Sequence, residues 1–304
     1  MRSVLPRLVY VQEVARNYDV AGEFVLLPWV ESNFRPVGSG PRRQSAGMWQ
    51  IVPSTAGAIG LHLNNQYDGR FDIPAATHAV MKLLEQYHQQ FGDWRVVDYA
   101  YNAGEFAVRR VIRAHGLPPA QPTIPDWPIR KVTREHLTKL LAIACVVRDP
   151  QRFAITLPTL PPDERLVQTA LPHPMSYQQA ASRAGMSVAD LKHLNAGFRG
   201  QTMDPGVASY LVLPARHARR FHDVSLQAAL EDKTELSQPH STQVATGMAT
   251  PPPAMNRTYR VRAGDSLWKI ARDHAVQVRQ LQRWNRLTGS SLKPGQTLVV
   301  AAPN

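Results

Sequence analysis

A chain of 304 residues, 43% hydrophobic and 19% charged, has the length for two domains or for one domain with smaller modules, and enough apolar content to build a packed core, which excludes a wholly disordered protein. Its formal charge of +12 calls for an anionic partner, and nucleic acid, anionic lipid and cell-wall polymer all qualify. The lysines and arginines are scattered, without a basic block, zinc-type cysteine spacing or an aromatic RNA-binding motif, so nucleic acid is not expected, and the single cysteine, Cys145, excludes an internal disulfide framework.

The first residues, MRSVLPRLVYVQEVARNYDV, read as an amphipathic helix from Pro6 to Tyr18 rather than as a basic stretch ahead of a signal core. Taken literally the chain shows no export signal, and no apolar run reaches the 18 residues of a membrane span. Helices are expected next at Gly22 to Ser32, Ile73 to Phe91, Trp94 to Tyr101, Phe106 to His115 and Thr133 to Val147. The Ile73 helix is the clearest: Ala76, Val80, Leu83, Leu84, Tyr87 and Phe91 follow the spacing of one apolar face, and Asp72 and Pro74 suit its start. Residues 1–148 thus predict an all-α domain.

Pro150, Pro158, Pro161 and Pro162 break the pattern, marking 149–164 as a linker. Residues 165–221 form a smaller unit in which SYQQAASRAGMSVADLKHLNAGF reads as two short helices joined at Gly185 and Met186, followed by a strand at Ser209 to Pro214. A second linker, 222–256, contains a Ser-, Thr-, Gln- and Pro-rich stretch with PPP at 251–253. Residues 257–304 predict a βααβ module: a strand at Tyr259 to Arg262, a Gly264-Asp265-Ser266 turn, two helices and a closing strand at Thr297 to Val300. Trp268 and Trp284 read there as packing or surface aromatics rather than catalytic groups.

YRVRAGDSLWKIA, the central QRWNRL and the closing LKPGQTLVV resemble a LysM repeat, which implies binding to N-acetylglucosamine-containing glycan. The unit at 165–221 resembles a degenerate repeat, with LNAGF in place of the LysM LNPG turn and no GDSL opening. In the N-terminal half, LLPWVESNF at 26–34, SAGMWQIVPSTA at 45–56, QYDGRFDI at 66–73 and AYNAGE at 100–105 together resemble the lysozyme-like catalytic domain of lytic transglycosylases, of the membrane-bound lytic murein transglycosylase D type. The whole is therefore expected to be mainly α: a lysozyme-like domain, a degenerate LysM-like unit and a LysM module.

Glycosidic cleavage needs a proton delivered to the leaving oxygen while positive charge develops on the ring. The resemblance makes Glu31 that acid and then the base, with the muramic acid 6-hydroxyl attacking the anomeric carbon to leave a 1,6-anhydro sugar. The residues alone do not separate this from a lysozyme-type hydrolase, or from a peptidoglycan-binding protein without catalysis. Gln50 matches a position that lines the sugar subsites, Met48 with Trp49 is expected in its apolar wall, Tyr101 and Asn102 match site residues whose phenol would point toward Glu31 and whose amide toward substrate, and Ser32 is expected to fix the end of the Glu31 helix. Where many relatives carry a tyrosine in an ET-x-x-Y sequence, this chain has VTREHL, placing His136 there as a group that can hydrogen-bond acid or substrate. Tyr67, Asp68, Arg70, Asp72 and Glu105 read as structural. The eleven histidines show no HExxH spacing, so neither a metal nor a cofactor is expected. Peptidoglycan strands are the expected partner and the periplasm or cell envelope the expected location, with membrane association only through an N-terminal segment that this chain lacks.

Overall fold

The computed structural model describes residues 4–38, 44–223 and, toward the C-terminus, 258–262, 267, 270–271, 274, 276, 278–287, 292–293 and 295–300. The chain divides into two compact units, residues 1–238 and 239–304.

The first unit opens with helices α1 (Leu5–Ala15), α2 (Leu27–Ser32), α3 (Pro53–Ala58), α4 (Ile73–Phe91), α5 (Trp94–Ala103), α6 (Glu105–His115) and α7 (Lys131–Arg148). Capping chemistry sets α4: the Asp72 carboxylate accepts the Ala75 N–H at 2.7 Å, Pro74 stands in the first turn, and Gly92 closes the helix with φ +69°. Asp93 caps α5 in the same way through Arg95 N–H. The helix expected from Gly22 to Ser32 is two pieces, a 3₁₀ segment Gly22–Leu26 followed by α2. Pro28 lies at the join: it lacks the N–H that would continue the preceding helical ladder and stands in the first turn of α2, where that N–H is not needed. Trp49, fully buried, shares one core cluster with Val11, Phe24, Leu27, Phe34, Val80, Met81, Leu84, Val97 and Leu140, so the core gathers α1, α2, α4, α5 and α7. α3, which the residue pattern leaves as loop, starts on Pro53 and buries only Ala56.

Residues 165–223 pack onto this helical body. Strands β1 (Leu166–Ala170) and β4 (Tyr210–Pro214) pair antiparallel, Leu166 opposite Pro214, and β2 (Met175–Ser176) pairs with β3 (Thr202–Met203). Between them lie α8 (Tyr177–Ala184), begun by a Ser176/Gln179 capping box and ended at Gly185, and α9 (Val188–Leu194). Leu166 and Val212 enter the main core, and the Arg7 guanidinium donates to the His193 carbonyl at 3.1 Å. The turn after α9 is spent on this docking: Asp68 N–H donates to the Gly197 carbonyl and Arg199 N–H to the Gln66 carbonyl, each at 2.8 Å.

In the second unit β5 (Thr258–Arg260) pairs antiparallel with β6 (Thr297–Val299), and helix α10 (Val278–Trp284) lies between them in sequence. Helical Leu267, Ile270 and Ala271 join Val261, Leu281, Leu298 and Val300 in a small core. The Gly264–Ser266 turn, Trp268 and residues 224–256 lie outside the described residues. A shared device marks the two smaller units as repeats. The Asn285 amide donates to the Leu281 and Val299 carbonyls and accepts Val299 N–H, and Asn195 does the same with Leu191 and Val212. In each, one asparagine clamps the end of a helix to the closing strand.

Candidate active site

Glu31 sits in the last turn of α2, which Asn33 terminates in a left-handed conformation (φ +53°). Its side chain keeps 17% exposure. Ser32, buried beside it, donates its hydroxyl to the Met48 carbonyl at 2.8 Å and approaches the Pro28 carbonyl at 3.3 Å. The expected role of Ser32 thus has a definite form: it ties the Glu31 helix to the 44–51 loop.

His136, on α7, places Nε2 3.0 Å from Glu31 Oε1 and Nδ1 2.9 Å from Asp98 Oδ1. Asp98 is fully buried on α5, as are its chain neighbours Val96, Val97, Tyr99 and Ala100, and its Oδ2 has no hydrogen-bond partner among the described residues. Burial opposes a charge on the imidazole, but the hydrogen bonds and charges of Asp98 and Glu31 outweigh it and push His136 up to about 9. Burial raises the Asp98 carboxyl, against the pull of the imidazole. The residue pattern did not single out Asp98. The signal available was an acidic side chain on the apolar side of an otherwise buried helix.

The 44–51 loop packs against the Glu31 helix through Met48. Met48 and Trp49 are buried; the Trp49 indole N–H donates to Thr77 Oγ1 at 3.3 Å and its carbonyl accepts the Tyr101 hydroxyl at 2.5 Å. Burial, then the nearby Glu31 charge, holds the Tyr101 phenol well above the usual tyrosine range. Among the described residues the side-chain bond to Glu31 comes from His136 rather than from this phenol. Gln50 adopts a left-handed conformation (φ +49°), its amide N–H₂ donating to the Gly47 and Val37 carbonyls and its Oε1 accepting from Ser45. Both amide protons are therefore committed to the loop, leaving one oxygen lone pair for a ligand. Asn102 lies partly buried in the last turn of α5.

A buried ionic cluster holds the loop in place. Arg70 donates to both oxygens of Asp68, at 2.9 and 2.8 Å, and turns its remaining nitrogen to the Gln44 and Ile51 carbonyls. Arg199 pairs with the same carboxylate, and Tyr67 and Tyr210 both donate to Asp72. Gly47 packs directly over this cluster with φ +79°, and a Cβ there would lie 1.8 Å from the Arg70 carbonyl oxygen. Gly47→Ala is expected to lower the melting temperature by several degrees, equivalent to about 2–4 kcal/mol from clash and positive-φ strain together. An unchanged melt would show that the loop shifts freely.

Residues 10–122 match the family model described as transglycosylase SLT domain, residues 165–229 the lytic transglycosylase MltD, LysM-like domain, and residues 259–301 the LysM domain. The chain is 33% identical over 298 residues to membrane-bound lytic murein transglycosylase D of Escherichia coli strain K12, covering 98% of this chain and 64% of that protein, and equally so to its counterpart in strain CFT073. It is 46% identical over 50 residues to N-acetylmuramoyl-L-alanine amidase XlyA of Bacillus subtilis, 16% of this chain and 17% of the amidase.

Proposed function

On a chain whose residues 10–122 belong to the transglycosylase SLT domain family and whose later units belong to LysM families, we propose a peptidoglycan lytic transglycosylase of the bacterial envelope, with Glu31 as acid and base. It cleaves the β-1,4 bond between N-acetylmuramic acid and N-acetylglucosamine and leaves a 1,6-anhydro sugar. The observation that carries the reading is the difference between the two carboxylates hydrogen-bonded to His136: Glu31 retains exposure, while Asp98 is sealed behind the imidazole. Glycosidases with two working carboxylates need both to reach the sugar. One reaching carboxylate suits a mechanism in which Glu31 protonates the glycosidic oxygen and then accepts the proton of the substrate's own 6-hydroxyl.

Met48, Gln50, Tyr101 and Asn102 shape the wall that receives the glycan, Gln50 mainly by fixing the loop, and His136 acts on Glu31. The test is mass spectrometry of sugars released from purified peptidoglycan. Anhydro-muropeptides support the reading, hydrated reducing ends make the protein a lysozyme-type hydrolase, and no release makes it a binding protein.

Wall attachment falls to residues 257–304, of which 259–301 match the LysM domain, whereas in the inner unit the Gly197–Arg199 turn packs against Gln66–Asp68. The charge of +12 adds attraction to an anionic polymer. Deleting 257–304 is expected to weaken sedimentation with peptidoglycan by about tenfold or more, through loss of effective concentration, while soluble fragments are still cleaved. Complete loss of cleavage on soluble fragments would overturn the modular division.

A further inference from the structure

Asp98, His136 and Glu31 form one hydrogen-bonded file across α5, α7 and α2. Exposure rises along it, from 0% at Asp98 through 7% at His136 to 17% at Glu31, so only the Glu31 end opens outward. A fully buried carboxylate, with one oxygen unpartnered among the described residues, is unfavourable unless a cation or an N–H lies against it, and His136 Nδ1 supplies that partner. With Nδ1–H committed to Asp98, the contact between Nε2 and Oε1 holds one proton, on nitrogen or on oxygen, at the same total charge. We infer that His136, positioned by Asp98, is a proton store for Glu31, keeping available to the carboxyl the proton that cleavage requires.

The step balances without a co-reactant and rests on the reading of Glu31 as the acid. The stored proton passes from Nε2 to Oε1; Glu31 delivers a proton to the glycosidic oxygen, which takes the electron pair of the breaking C1–O bond. The 6-hydroxyl oxygen bonds to C1, its proton goes to the Glu31 carboxylate, and Nε2 can take it up again. The pair ends with the proton count it began with.

The charges that act on the imidazole are Asp98 from α5 and Glu31 from α2; Glu23, of the 3₁₀ segment that also packs on α7, is not among them. The Tyr101 phenol, also on α5, feels both carboxylates but stays protonated through the working range. Arg134 and Arg95 act on the neighbouring Tyr99. The store therefore stays filled into alkaline solution, His136 being held up to about 9.

Two readouts test this on the full chain. Histidine ring NMR of wild type should show His136 titrating near 9, and in Asp98→Asn at least about one pH unit lower. In turnover of peptidoglycan, the alkaline limb of kcat should move down by a similar amount in Asp98→Asn, with KM changed less than about twofold. A merely structural Asp98 would lower kcat at every pH and leave the limb in place. A wild-type His136 titrating near its ordinary value of about 6.5 overturns the inference even if the variant fails to fold. Anhydro product with an unmoved limb defeats the inference alone, whereas absence of anhydro product from wild type defeats the reading of Glu31 on which it rests.

Discussion

Glu31→Gln is expected to reduce release of anhydro-muropeptides by about four orders of magnitude, equivalent to about 5 kcal/mol of transition-state stabilisation. The figure sits at the upper end of general acid–base effects because in the proposed mechanism one carboxyl serves in both halves of the reaction. Glutamine keeps the shape and can still meet His136 Nε2, so the fold should survive: Glu31 lies at the exposed end of the file and makes no other side-chain bond among those described. Turnover measured beside a thermal melt separates the two effects. Turnover within about tenfold of wild type would remove Glu31 from the mechanism.

The second large effect is on stability. Asp68 and Arg70 are 1% and 3% exposed, and Arg199 meets the same carboxylate. Breaking such a pair from one side leaves a buried guanidinium without its counter-charge, which costs about 3–5 kcal/mol. Asp68→Asn is therefore expected to lower the melting temperature by about 10 °C, given about 2–4 °C per kcal/mol in a domain of this size. It should also increase hydrogen exchange in two places, the 195–199 turn that Arg199 anchors and the 44–51 loop whose Gln44 and Ile51 carbonyls Arg70 holds. Burial works against the Asp68 charge, yet Arg70 and Arg199 outweigh it and hold the carboxyl below its usual value. That depression fixes the sign of the pH dependence. The wild-type contribution is present above about pH 4, the unfolded value, and is lost as pH falls through the lower folded one, so the wild-type and Asp68→Asn melts should converge in acid. A melt unchanged at neutral pH would mean that the cluster is replaceable.

These two effects meet in the loop. In the proposed mechanism Glu31 supplies the reacting group, while Ser32 ties its helix to Met48, Tyr101 holds the Trp49 carbonyl, and Arg70 holds Gln44 and Ile51. Residues 165–223, through Arg199 and the Gly197 carbonyl, brace the turn from which Arg70 reaches. A unit that matches a LysM-like domain thus forms part of the scaffold behind the 44–51 loop.

The sequence by itself determined the helical character of residues 1–148, the repeat character of residues 165–221 and 257–304, and the Glu31 motif. Those features are local: apolar periodicity in α4, a cap at Asp72, prolines at the break, and short motifs with fixed internal spacing. Where a local conflict entered, as at Pro28, the expected helix split. Only the tertiary structure decided which groups surround Glu31, because the contacts that fix them span large separations in the chain. Asp98 meets His136 across 38 residues and His136 meets Glu31 across 105, and neither distance leaves a trace in periodicity or spacing. The same holds for Arg199, 131 residues from Asp68, whose pairing joins the turn after α9 to the buried Asp68 carboxylate. Local propensity fixes an element, but a buried charge is placed only where packing brings it a partner.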